Sequence, residues 1–381
     1  MIQSAKRLDT VQEYYFSKKL REVRALAAAG KPIINMGIGS PDLQPPTKVI
    51  AAIQQSFNDA DAHKYQSYQG LPALRNAISE FYQQKFNVAT DPANEILPLM
   101  GSKEGIMHIS MAFLNEGDQV LIPNPGYPTY TSVTKLLGAE PIFYELEEGT
   151  NWQPNIEQLE ALDLTKVKIM WVNYPHMPTG TNALKETFEK LIAFGKKHQI
   201  LLVNDNPYSF ILNDKPLSIL QVEGAKDIAL ELNSLSKTFN MAGWRVGMVL
   251  GNKKYINEIL KVKSNMDSGM FYGIQKGAIE ALHLSDDWFE NQNKVYEERR
   301  SLVFQLADKL ECTYNENSTG LFVWAKIPEG KTAEEVTDAV LYDKDIFITP
   351  GTIFGSQGEG YIRFSLCVSK EIINNAISRF K

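Results

Sequence analysis

Residues 200–203, Ile-Leu-Leu-Val, form an unbroken apolar run of strand length that ends in Asn204-Asp205-Asn206-Pro207-Tyr208. A strand wet on one face would alternate. A continuous run belongs to a strand buried on both faces, and such strands sit in parallel sheets with helices on either side. The stretch ahead of it supplies one such helix: over 184–198, Leu184, Phe188, Leu191 and Ile192 share a face. The pattern recurs. Residues 96–100, 119–123 and 168–172 read as strands, and Ile106, Ile109, Phe113 and Leu114 mark a helix behind the first. Strands alternating with helices predict an α/β fold with a mainly parallel sheet. Open sheets of this kind bind ligands beyond the carboxyl ends of their strands. Asp205 lies at such an end, although a turn-forming aspartate would look the same.

A second stretch carries more chemistry. Asn233-Ser234-Leu235-Ser236-Lys237-Thr238 lies between the strand-like runs 228–232 and 246–250, and Arg245 follows Lys237 by eight residues. Most lysines are solvated surface groups. A lysine held in a dry pocket loses its proton, and the free amine condenses with aldehydes. Hydroxyls at Ser234, Ser236 and Thr238, with Arg245, suit a phosphate dianion. An aldehyde to bind and a phosphate to hold together describe pyridoxal 5′-phosphate.

Other local patterns are individually weaker. Gly101-Ser102-Lys103-Glu104-Gly105 is a glycine turn between a strand and a helix, where free backbone N–H groups and the helix dipole favour an anion. Gly37 and Gly39, in Gly37-Ile38-Gly39-Ser40-Pro41-Asp42, allow close backbone approach. Asn124-Pro125-Gly126-Tyr127-Pro128 puts an aromatic after a strand. Pro72 suits the first turn of a helix carrying Leu74, Ile78 and Phe81. Residues 10–29 read as an amphipathic helix stopped by Gly30. In 361–366, Ile362, Phe364 and Leu366 share one strand face, and Tyr361, Arg363 and Ser365 the other.

Taken in order from Gly37 to Arg363, these segments resemble the class I and II aminotransferases of pyridoxal-phosphate fold type I. They look most like the branch that includes diaminopimelate, alanine and aspartate aminotransferases. The resemblance implies a three-layer α/β/α large domain over 45–275 and a smaller α+β domain built from 1–44 and 276–381. It implies that Lys237 forms the imine with the cofactor and later acts as the catalytic base. Ser102, Lys103, Ser234 and Arg245 would bind the phosphate, the first two mainly through backbone N–H groups. Tyr127 would stack on the ring, Asp205 would pair with the ring nitrogen, and Tyr208 would donate to the ring oxygen. Gly39 and Arg363 would take the substrate carboxylate. Tyr65 would cross a homodimer interface to the neighbour's phosphate. The implied reaction moves an amino group between an L-amino acid and a 2-oxo acid, with glutamate and 2-oxoglutarate as the default pair.

The resemblance breaks at one place. The family pattern Asn-Pro-Thr-Gly reads Met177-Pro178-Thr179-Gly180 here, and methionine donates no hydrogen bond. Either Asn173 or His176 replaces the lost donor to the ring oxygen, or that oxygen keeps one donor only. Two rival readings stand beside the aminotransferase: a pyridoxal-phosphate β-C–S lyase using the same residues, and a weakened binding protein, which Met177 favours.

Composition narrows the classes further. At 381 residues, 44% hydrophobic and 22% charged, the chain has the make-up of a globular protein of more than one core. A net charge of −6 argues against a general nucleic-acid surface. Two cysteines and five scattered histidines give no disulfide framework or metal spacing, and point to a reducing cytoplasm. No Gly-x-Gly-x-x-Gly or Walker loop is present. The first twenty residues lack a signal-peptide core, and no apolar run reaches membrane-spanning length.

Overall fold

A computed structural model describes residues 2–11 and 13–380. Its first strand, β1 (Ile34–Asn35), is short and belongs to a small sheet considered below. The main sheet is built from β2 (Ile96–Leu99), β3 (Gln119–Asn124), β4 (Glu140–Glu145), β5 (Val167–Val172), β6 (Leu201–Asp205), β7 (Ala229–Ser234) and β8 (Gly247–Gly251). Their spatial order is β2-β8-β7-β6-β5-β3-β4. Every neighbouring pair is parallel except those made by β8, which runs antiparallel to both β2 and β7. The amino end of β8 therefore lies beside the carboxyl ends of all the others.

The continuous apolar runs are explained by two cores. Leu121, Met170, Val172, Leu202, Met248 and Leu250 face one. Val120, Ile122, Ile169, Trp171, Val203 and Leu232 face the other. Helix Lys185–His198 covers the first face with Phe188, Leu191 and Ile192. Helices Ser102–Phe113 and Lys253–Lys263 cover the second with Ile106, Ile109, Ile256 and Ile259. This is the three-layer α/β/α arrangement. Each such side chain contributes about 1.5–3 kcal/mol by leaving water.

The remaining strands are β9 (Thr313–Tyr314), β10 (Phe322–Lys326), β11 (Ile346–Phe347), β12 (Thr349–Pro350) and β13 (Tyr361–Ser365). Four of them form an antiparallel sheet in the order β12-β13-β10-β9. β11 pairs in parallel with β1. The two ends of the chain thus meet. Met36 N–H donates to Phe347 O at 2.8 Å, and Ser365 N–H donates to Met36 O at 2.7 Å. Among the described residues no helix is long and apolar enough to cross a membrane.

One boundary departs from the sequence expectation. The helix predicted over 10–29 begins only at Tyr15 and runs to Ala28. Tyr14 sits under Lys103, whose Nζ is 4.4 Å from the ring centroid. Ahead of Tyr15 the described residues include a separate 3-10 turn at Lys6–Leu8 and do not extend the helix.

Candidate active site

The carboxyl edge of the main sheet opens into a cavity of about 500 Å³. Lys237, Asp205, Tyr208, Tyr127, Asn173, Ser234, Ser102, Lys103, Arg245, Gly39 and Arg363 all line it. Tyr65 does not. It is 91% exposed on the outer surface, away from the cavity of its own chain.

Lys237 sits on the short helix Leu235–Thr238, which leaves β7 directly. Its Nζ donates to the carbonyl of Gly39. Burial lowers its pKa, and the charges of Arg363 and Arg245 lower it further against an opposing effect of Cys367. The amine is thus biased toward its neutral, nucleophilic form.

Asp205 closes β6 and is almost fully buried. Burial pushes its carboxyl up to about 7, opposed by the hydroxyl of Tyr130 donating to Oδ2 at 2.9 Å. The other oxygen, Oδ1, is buried without a partner. A buried carboxylate oxygen left open toward a cavity calls for a cationic or N–H partner. Tyr130 is held for its task by stacking on Trp171, with ring centroids 4.8 Å apart and planes 5° from parallel.

The opposite end of the cavity is built for an anion. Ser234 Oγ donates to Ser236 Oγ at 2.8 Å, and Arg245 Nη1 donates to Ser236 Oγ at 3.3 Å. Helix Ser102–Phe113 points its free N–H groups there. Gly101 holds φ +94°, and a Cβ at that position would stand 2.0 Å from Arg245 Nη2. Only glycine lets the turn and the guanidinium come this close.

Arg363, on β13, is buried and not solvent-facing. Its Nη2 donates to Gly37 O at 2.8 Å, its Nη1 lies 3.3 Å from the sulfur of Met177, and its Nε has no partner. The guanidinium lies over the rings of Phe322 and Phe354, at 3.9 and 4.6 Å from their centroids. Burial pushes its pKa down to about 10, so it stays charged at neutral pH and lacks an oxyanion partner. Gly39 fits against Phe322 with no room for a side chain; a Cβ would lie 2.2 Å from the ring. The segment above it is pinned by Arg299, whose Nη1 and Nη2 donate to Asp42 at 2.6 and 2.8 Å.

Of the two candidates for the donor missing at Met177, His176 is fully engaged, and Asn173 has spent one of its two amide N–H groups. Asn173 Nδ2 donates to Asp205 O at 2.5 Å, and its Oδ1 accepts from Met177 N at 3.0 Å. The ring of His176 is occupied by Thr179 Oγ1 at 2.8 Å and Pro125 O at 3.1 Å, and it does not line the cavity.

Pyridoxal 5′-phosphate fits this set. A lysine amine of lowered pKa would suit its aldehyde, an unpartnered carboxylate oxygen its ring nitrogen, and the Ser–Arg–helix end its phosphate. Tyr14, Phe16 and Tyr130 also line the cavity, Phe16 with its ring centroid 5.6 Å from the Arg363 guanidinium; sequence reasoning does not find these three or the Arg299–Asp42 pair. Tyr130 follows Tyr127, the extended residue that caps the helix Pro128–Leu136, and their rings meet edge to face at 5.6 Å. The others rest on contacts between distant segments.

Residues 31–380 match the family model described as aminotransferase class I and II. The LL-diaminopimelate aminotransferase of Dehalococcoides mccartyi strain BAV1 is 40% identical over 380 residues, covering 98% of this chain and 97% of its own. That of Aquifex aeolicus is 38% identical over 383 residues, covering 100% and 99%. Among solved structures, apo-BacF from Bacillus subtilis superposes with a TM-score of 0.95 at 33% identity, covering 100% of this chain and 98% of that one. An aminotransferase from Staphylococcus aureus gives 0.90 at 32%, covering 99% and 98%.

Proposed function

The chain belongs to the class I and II aminotransferases, enzymes that work with pyridoxal 5′-phosphate, and from that membership we propose a role for each residue of the cavity. The bound cofactor supplies a carbonyl that condenses with amines and a ring that accepts the electron pair released at the substrate Cα. Lys237 would hold the cofactor through its amine and, when that amine is free, would act as the positioned base for the proton at the substrate Cα. Asp205 keeps the ring nitrogen protonated through the oxygen that is otherwise unpaired. Tyr127 lies against the ring face. Ser234 and Arg245, with the backbone N–H groups at Ser102 and Lys103, hold the phosphate. Arg363 and the backbone at Gly39 take the substrate carboxylate, orienting the Cα–H bond toward Lys237. The observation that carries this reading is the convergence on one cavity of a buried amine of lowered pKa, Lys237, with two buried groups that each keep an unpartnered atom, Asp205 Oδ1 and Arg363 Nε.

For substrates, we propose glutamate and 2-oxoglutarate as one pair. LL-diaminopimelate is the first other amino donor to try, because the relatives are named for it. The test is to load the protein with cofactor, add single amino acids, and follow conversion to pyridoxamine phosphate by absorbance. Conversion by glutamate and diaminopimelate is expected; conversion by neither would overturn this substrate assignment.

The working unit in this reading is a cytoplasmic homodimer. Tyr65 is exposed, as are Tyr68 on the same connection and the paired rings of Phe57 and Phe271, apolar surface suited to a second copy. The large domain would run over 45–275, and both chain ends would form the small one.

In this reading Tyr208 is a side-chain donor to the ring oxygen, and the second amide N–H of Asn173 can join it, since only one is spent on Asp205 O, whereas His176 is committed elsewhere. Met177→Asn adds an amide N–H at that oxygen. Stabilising negative charge there makes the nitrogen linking Lys237 to the cofactor hold its proton less tightly. The pH midpoint of the bound cofactor's absorbance is expected to fall. The substrate's KM should fall about tenfold as an oxygen-compatible group replaces sulfur beside Arg363. An unchanged midpoint would show that the lost donor carries no weight.

A further inference from the structure

We propose that Lys263, Asp267 and Gln275 are positioning residues that present Tyr65 to a second copy of this chain, where its hydroxyl serves the phosphate end of that copy's cavity. The proposal rests on the dimeric reading of Tyr65 given above.

The segment that carries Tyr65 joins helix Thr47–Ser56 to helix Pro72–Phe86 and contains no helix or strand of its own. A connection of this length is ordinarily loose. Here its main chain is fastened by buried groups on both sides of residue 68. Lys263 Nζ donates to Tyr68 O at 2.9 Å and is paired with Asp267 at 2.9 Å. The two side chains are only 1% and 4% exposed. Asp267 Oδ1 also accepts from Gly269 N at 2.8 Å. Gly269 holds φ +87°, and a Cβ there would stand 2.4 Å from Gln66 O, so backbone rests on backbone. Gln275, fully buried, accepts from Leu71 N at 2.7 Å through Oε1 and donates to Met270 O at 2.8 Å through Nε2. Gln66 Nε2 closes the other flank on the carbonyls of Asp61 and Lys64, both at 2.9 Å.

Burying an ion pair is costly unless further hydrogen bonds complete it. A connection that merely linked two helices would have no use for one. The contrast with its cargo is the telling point: the base is locked, while the Tyr65 side chain stands almost wholly in solvent. Lys263 ends the helix Lys253–Lys263, which packs on helix Ser102–Phe113. The latter begins at the anion turn of its own cavity. One pair of helices therefore supports both the phosphate turn a copy keeps and the tyrosine it lends.

The test is a double-mutant cycle on the cofactor-loaded protein. The dissociation constant of pyridoxal 5′-phosphate is measured for Tyr65→Phe, Lys263→Met and the double variant, with molecular mass by light scattering. Tyr65→Phe is expected to weaken binding about tenfold. Lys263→Met should weaken it by a similar factor while the mass stays that of the dimer. The double variant should bind no more weakly than the worse single one, because both changes remove the same contact. Factors that multiply, or a Lys263→Met variant that binds normally, overturn the clamp and leave the Tyr65 reading intact. An unaffected Tyr65→Phe variant overturns that reading and the clamp with it. Should Lys263→Met fail to fold or fall to monomers, Asp267→Asn, which keeps the acceptor for Gly269, must show the same non-additivity with Tyr65→Phe; multiplication there overturns the clamp.

Discussion

Lys237→Ala is expected to lose about four orders of magnitude in turnover, the upper part of the range for removing a positioned general base. The fold should survive, because the lysine's one polar contact in the resting protein is to the carbonyl of Gly39. The phosphate end of the cavity is untouched by the change, so the variant should still take up cofactor reversibly. Borohydride reduction followed by peptide mapping is the decisive readout. The parent protein should carry its adduct on the peptide containing residue 237, and the variant should carry none. An adduct elsewhere, or turnover within tenfold of the parent, would remove Lys237 from its assigned place.

Asp205→Asn should have opposite effects on stability and on catalysis. The carboxyl is ordinarily acidic near 3.8, and burial in the fold lifts it to about 7. A folded-state pKa raised above the unfolded one favours folding at low pH, and the advantage fades as pH climbs through about 7. At pH 8 the cofactor-free protein therefore bears an ionised, half-satisfied carboxylate in its interior. At about 1.4 kcal/mol per unit, the shift corresponds to roughly 4 kcal/mol. Asparagine removes this burden, so the cofactor-free variant should melt higher than the parent at pH 8, and the gap should close toward pH 5. The same change withdraws the charge that keeps the ring nitrogen protonated, and turnover should drop about 10²–10³-fold. Equal melting temperatures across the pH range would show that the carboxyl is not strained in the empty cavity.

The legible parts of this protein were those written in contiguous residues. The parallel sheet is legible because β6 opens as an unbroken apolar run and β5 is apolar over Ile169–Val172, both buried on two faces. Asp205 was visible because it ends such a run. Lys237 and Arg245 announced themselves by composition and spacing within one short stretch. Arg363 was assigned through resemblance, and period-two alternation gave only its face; nothing local said that the face was buried. What stayed hidden depends on segments meeting in space. Asp42 and Arg299 are 257 residues apart, and no pattern in either neighbourhood foretells their pairing. Amphipathic periodicity carries the helix past its true start at Tyr15 because it cannot sense Lys103 over Tyr14. The fate of Asn173 and His176 turned on hydrogen bonds to Asp205 O and Pro125 O, which no spacing rule contains.

The reversed direction of β8 has a consequence for how such a chain can drift. Because β7 and β8 are antiparallel neighbours, the dozen residues between them make a tight return that never leaves the ligand edge. The nucleophile and the phosphate's guanidinium are cut from that one return, so its length is a ruler. An insertion anywhere in 238–244 would change the spacing between the two, because Lys237 is anchored by β7 and Arg245 by β8. Descendants of this chain should therefore keep the length of this return as strictly as that of the glycine turn at Gly101.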